Sequence, residues 1–148
     1  MADQYGHYIA GSAVAGTSSR TGDVFNPSTG EIKAQVAFAT AQELANAVGT
    51  AKQAQIEWAA TNPQRRARVM FAFKSLVEAD ADNLARLLSE EHGKVIADSL
   101  GDIQRGLEVI EFACGIPHLL KGEFTEGAGP GIDVYSMRQP LGVVAGIT

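Results

Sequence analysis

The stretch Arg138-Gln139-Pro140-Leu141-Gly142-Val143-Val144-Ala145-Gly146-Ile147-Thr148 decides how the fold is read. Residues 141–147 are apolar without polar alternation, the pattern of a strand buried on both faces, as in a parallel sheet covered by helices. Pro140 has no N–H to give to a ladder and breaks the pairing just before that strand. A buried strand needs neighbours, yet the sequence ends at Thr148. The run is therefore expected to be the first strand of a sheet completed by further chain, the 148 residues being the front part of a larger α/β protein. Open parallel sheets bind ligands beyond the carboxyl ends of their strands, so function is expected to lie near this end.

Working back from it, residues 121–140 hold a glycine-rich connection through Gly127, Gly129 and Gly131. Ile132-Asp133-Val134-Tyr135-Ser136-Met137-Arg138 then alternates and predicts a strand with one exposed face, in a hairpin or against another subunit. Residues 40–120 are helical in pattern. Thr40 and Glu43 match a capping box, and Leu44, Ala47, Val48, Ala51, Ala54 and Trp58 recur at helical spacing to about Thr61. Asn62 and Pro63 open a second helix whose expected buried stripe is Val69, Met70, Phe73, Leu76 and Val77. A third carries Leu84, Leu87 and Leu88 and stops at Gly93. A fourth is expected from about Ile96 to Leu120, with Pro117 kinking or tightening its last turns. Residues 7–40 read as small β structure: a hairpin around Gly11-Ser12, strands at Asp23-Val24-Phe25 and Ile32-Lys33-Ala34-Gln35-Val36-Ala37-Phe38, and a turn at Asn26-Pro27-Ser28-Thr29-Gly30.

The composition suits one modest domain, with 45% hydrophobic and 20% charged residues. A net charge of -5 and no basic cluster longer than Arg65-Arg66-Ala67-Arg68 argue against nucleic acid as a partner. No apolar run approaches the roughly 20 residues that span a bilayer, so no membrane partner is expected and the chain reads as soluble and cytoplasmic. Cys114 is the single cysteine, which excludes an internal disulfide and a multi-thiolate metal site built by this chain alone.

Few side chains offer chemistry, and each has an ordinary explanation beside it. His92 next to Lys94 has the types of an acid–base pair, but cations also collect at helix ends for their free carbonyls and dipole. Cys114 shares a helical stripe with Ile103, Leu107 and Ile110, which predicts a packed, inert thiol rather than a nucleophile. Arg105 shares a stripe with Val109, Phe112 and Ile116. A guanidinium at one end of an apolar stripe suits a carboxylate at the edge of a hydrophobic pocket; the alternative is a surface ion pair with Asp102 or Glu108, each three residues away. Gly142-Val143-Val144-Ala145-Gly146 does not complete G-x-G-x-x-G, and a strand with small residues for close packing explains it equally well.

Taken together, Asp23-Val24-Phe25-Asn26-Pro27-Ser28-Thr29-Gly30-Glu31, Trp58 ahead of Arg65-Arg66-Ala67, Glu91-His92-Gly93-Lys94 and the terminal stretch resemble, in order and spacing, the opening of the aldehyde dehydrogenase superfamily. Phe112-Ala113-Cys114-Gly115-Ile116-Pro117-His118-Leu119-Leu120-Lys121-Gly122-Glu123 further resembles its CoA-acylating methylmalonate-semialdehyde dehydrogenases. The resemblance implies residues 1–122 as β hairpins and the helical part of an NAD-binding domain, 123–140 as oligomerisation strands, and 141–148 as the start of a Rossmann-type sheet. It also implies NAD as cofactor, coenzyme A as co-substrate, a small semialdehyde as substrate and a homo-oligomer, dimer or tetramer.

By the same resemblance Arg105 binds the substrate carboxylate, and Ile147 and Thr148 contact the dinucleotide through backbone atoms. The nucleophilic cysteine, the glutamate base and the oxyanion-hole asparagine of relatives match no residue of this sequence, so none is catalytic and the fragment is expected to be inactive alone. A hydrolytic enzyme for another carboxylated aldehyde, such as succinate semialdehyde, is an alternative. A noncatalytic helical interaction module is a second, opposed by the apolar Val143-Val144-Ala145 run.

Overall fold

The computed structural model describes residues 3–147. Three small sheets and a group of helices make up the chain. Strands β1 (Asp3–Tyr5), β4 (Thr21–Phe25) and β5 (Ile32–Ala37) form a sheet of order β1-β5-β4, with β5 parallel to β1 and antiparallel to β4. Strands β2 (His7–Ile9) and β3 (Ser12–Val14) form a separate hairpin. Its turn falls at Ala10 and Gly11, one residue earlier than expected, because a tight right-twisting hairpin turn needs positive φ at both central positions and these residues have φ of 55° and 78°. The turn after β4 is closed by Asn26, whose Oδ1 accepts from the Ser28 N–H at 2.9 Å.

Helix α1 (Ala41–Ala60) starts on the capping box: the Glu43 N–H donates to Thr40 Oγ1 at 3.2 Å and the Thr40 N–H donates to Glu43 Oε2 at 2.7 Å. The other Glu43 oxygen accepts from the Thr17 N–H at 2.8 Å, which ties the segment after β3 to the helix start. These backbone donors pull the Glu43 carboxyl down from its ordinary 4.5 to about 2. Helix α2 (Pro63–Ala79) is capped by Asn62, which accepts from the Gln64 N–H at 2.8 Å. Helix α3 (Ala81–His92) ends at Gly93, left-handed at φ 83°; a Cβ there would also come within 3.2 Å of Pro27 in the β4–β5 turn. The expected fourth helix is two pieces, α4 (Ile96–Cys114) and the single turn α5 (Ile116–Leu119). The break at Gly115 precedes Pro117 because proline has no N–H to give to the Ala113 carbonyl and its ring crowds that group.

Helix α4 is the centre of the helical layer and packs on both α2 and α3. Leu107 and Cys114 face inward and are buried, as is Ser99, whose hydroxyl lies 2.7 Å from that of Ser89 on α3. Ala85 supplies the matching small residue on α3 and Ala67 on α2. The stripe expected on α2 is therefore corrected in part: Met70 and Val77 are half-buried, but Val69, Phe73 and Leu76 are exposed, and the buried residue of α2 is Ala67. Helix α1 fully buries no side chain, leaving Leu44, Ile56 and Trp58 open.

Strands β6 (Phe124–Gly129) and β7 (Ile132–Tyr135) form an antiparallel hairpin, so the glycine-rich segment taken as a connection is itself a strand. Residues 141–147 carry no strand. A ladder needs a partner, and the described residues offer this run none; it lies exposed alongside α1, bounding shallow hollows with Val48, Ile56 and Trp58. The accessible surface is 11516 Å², whereas a folded monomer of comparable mass exposes about 7,000 Å². Many large apolar side chains, among them Leu141, Val144 and Phe112, are part of this open surface.

Because the folded carboxyl of Glu43 is depressed, its contribution to stability is fully present above 4.5 and is lost as pH falls toward about 2. A carboxyl-detected NMR titration of the folded chain should give Glu43 a midpoint near 2; a midpoint near 4.5 would break the Thr17–Glu43–Thr40 bracket.

Candidate functional site

Helix α4 turns a second stripe outward. Val109 and Phe112 follow Arg105 at spacings of four and three and are 69% and 67% exposed; Ile116, 40% exposed, comes four residues later, across the Gly115 break in α5. Arg105 stands at the end of this stripe with 79% of its side chain exposed. Its Nη1 donates to Asp102 Oδ1 at 3.1 Å, while the Lys94 ammonium donates to Asp102 Oδ2. The ion pair weighed in the sequence thus exists, with Asp102 and not with Glu108, whose carboxylate accepts from Gln104 at 3.4 Å. It does not consume the guanidinium, since a single N–H is engaged. The Asp102 carboxyl is held below its ordinary range, first by the Lys94 hydrogen bond and charge, with Arg105 adding to it.

Lys94 reaches Asp102 because of local backbone geometry. Gly93 turns the chain out of α3, Lys94 follows at once, and α4 begins two residues later, so the ammonium lies beside the second turn of α4. His92 ends α3 in its last turn, a cation-favouring position. Its neighbour Lys94 is committed to Asp102, and the two form no acid–base pair among the described contacts. Cys114 is buried on the inward face of α4, on the side opposite Phe112 and Val109.

Ile147 is fully exposed at the end of the 141–147 run, and Thr148 lies outside the described residues. No backbone group of that run has a hydrogen-bond partner among the described residues. With no complete glycine fingerprint, these free amides and carbonyls do not by themselves form a phosphate cradle. The sequence singled out Arg105 and Ile147 as candidates, whereas the contact of Lys94 with Asp102 was missed. Its signal was the Gly-Lys step: a left-handed cap followed immediately by a cation and a short link to the next helix.

The aldehyde dehydrogenase family model matches residues 14–148. The chain belongs to the aldehyde dehydrogenase family. Among family members it is 46% identical over 142 residues to the malonate-semialdehyde dehydrogenase of Pseudomonas aeruginosa, which covers 96% of this chain and 28% of the relative. A crystal structure from Sinorhizobium meliloti, named as a methylmalonate-semialdehyde dehydrogenase and complexed with NAD, is 60% identical with a TM-score of 0.90, over 96% of this chain and 29% of that one. The methylmalonate-semialdehyde dehydrogenase of Oceanimonas doudoroffii is 47% identical with a TM-score of 0.88, over 94% and 28%. The chain therefore spans less than a third of the length of these family members. The mixed α/β fold matches the N-terminal portion expected for the family.

The two faces of α4 predict opposite responses in this 148-residue chain. Leu107→Ala should destabilise it by about 2–5 kcal/mol, since it empties a buried position. Val109→Ala, on the open stripe, should stay within about 0.5 kcal/mol. Urea unfolding followed by circular dichroism measures both, and equal losses would contradict the assignment of inner and outer faces.

Proposed function

We propose that these residues are the N-terminal part of an NAD-dependent, CoA-acylating dehydrogenase for malonate or methylmalonate semialdehyde, in which Arg105 binds the substrate carboxylate. The observation that carries this is the α4 stripe: an exposed guanidinium with free N–H groups, followed by Val109 and Phe112 on one helical face, with Ile116 of α5 just beyond it. A semialdehyde acid has that same polarity, a carboxylate at one end and an aldehyde on a short apolar spacer at the other. The similarity to malonate- and methylmalonate-semialdehyde dehydrogenases supports the same substrate class.

Within this chain the division of labour follows from chemistry. Arg105 would fix the carboxylate through two parallel N–H donors, setting how far along the stripe the aldehyde carbon lies. Val109, Phe112 and Ile116 would exclude water beside it. Gly146, Ile147 and Thr148 would offer backbone groups to the cofactor's edge. When bound, NAD supplies the hydride acceptor and coenzyme A the thiol that takes the acyl group. The attacking thiolate would come from elsewhere in the intact enzyme, and Cys114, buried on the opposite face of α4, would have no part in it. The 148 residues alone would be inactive. Residues 123–140 would pair with another subunit, since both strands of the β6–β7 hairpin expose their side chains.

In the intact enzyme Arg105→Ala should raise KM for malonate semialdehyde by about 10- to 100-fold, the worth of a charge-assisted hydrogen bond, and raise that for propanal far less. Steady-state kinetics with both aldehydes tests it, and equal effects on both remove the carboxylate role. Product analysis separates the acylating reading from a hydrolytic one: acyl-CoA should form only when coenzyme A is present, and free acid formed at a rate indifferent to it would favour hydrolysis.

A further inference from the structure

Lys94, Asp102 and Arg105 form a graded array: the side chains are 21%, 36% and 79% exposed in that order. The cation whose ammonium pairs with Asp102 among the described residues is the recessed one, and the cation that faces outward is the one on the apolar stripe. An Asp–Arg pair three residues apart on a helix would, by itself, cancel much of the field a guanidinium presents to an incoming anion. Here the carboxylate is shared. Lys94 occupies Oδ2, Arg105 takes Oδ1 through Nη1 alone, and one positive charge is left over at the outer end. Nε and Nη2 of Arg105 have no hydrogen-bond partner among the described residues, which leaves two donors for a planar carboxylate.

We propose that Asp102 and Lys94 are positioning residues for Arg105: Asp102 holds the guanidinium by one N–H, and Lys94 offsets the Asp102 charge so that Arg105 keeps its attraction for the substrate carboxylate. The inference rests on the carboxylate role proposed for Arg105. It adds a dependence on the α3–α4 junction, because Lys94 is placed by Gly93, whose left-handed turn packs on Pro27. His92 is the other titratable group whose charge reaches Asp102.

The test uses the intact enzyme at fixed ionic strength, with the ratio of KM for malonate semialdehyde to KM for propanal as the readout. Lys94→Gln keeps an amide donor for Asp102 and removes the charge; it should raise the ratio by about threefold or more, as for loss of one partly screened charge, while kcat changes less than KM. Lys94→Arg restores the charge and should bring the ratio back toward the parent value. In an Arg105→Ala background, Lys94→Gln should add no further loss of selectivity. If Arg105→Ala abolishes selectivity while Lys94→Gln leaves the ratio unchanged, or raises it equally with and without Arg105, the positioning role is overturned and the Arg105 reading stands. If Arg105→Ala itself leaves the ratio unchanged, the underlying reading has failed.

Discussion

The packing of α4 between α2 and α3 is the constraint on which everything else depends. It is made with small residues: Ala67, Ala85 and the Ser89–Ser99 hydroxyl contact let the helices approach closely, and among the described residues Leu107 is the one large side chain buried there. Close approach on one side of α4 fixes which residues face the other. With 3.6 residues per turn, placing Leu107 and Cys114 inward sends Val109, Phe112 and Arg105 outward. The candidate site is thus the reverse face of the core, and any change that rotated α4 would lose both.

A second dependence runs through the α3–α4 junction. The β4–β5 turn rests on Gly93, and the Lys33–Glu91 ion pair joins the sheet to the end of α3. Lys94 leaves from that anchored point to reach Asp102. The β sheet, which carries no chemistry of its own, thereby sets the position of a charge one helix away from it. The pair is partly exposed, so it contributes little to stability in a screened solvent. Its value lies in where it leaves the positive charge.

Much of this was legible in the residues because the signals were local. The Thr40–Glu43 box, Asn62-Pro63 and Gly93 mark helix ends through hydrogen bonds and backbone angles that a few neighbours determine. The grouping of Ile103, Leu107, Ile110 and Cys114 likewise follows from helical period alone. What was not legible depended on partners. Whether 141–147 forms a strand is decided by a neighbouring strand, which the described residues do not contain. The short parallel strand β1 has only three residues and no alternation to announce it, and β6 is half glycine-rich sequence that pairs because β7 folds back on it. On α2 the apolar residues outnumber the positions facing α4, so period could not say which of Val69, Met70 and Phe73 lay inside. For Arg105, spacing offered both Asp102 and Glu108, and only the placement of Lys94 distinguishes them.

The most direct measurement is a crystal structure of the intact enzyme with malonate bound. Arg105 is expected to hold one malonate carboxylate by two N–H donors while keeping its contact with Asp102, with Val109, Phe112 and Ile116 covered from solvent. Malonate bound elsewhere, with Arg105 still in solvent and α4's outer stripe facing water, would contradict the account.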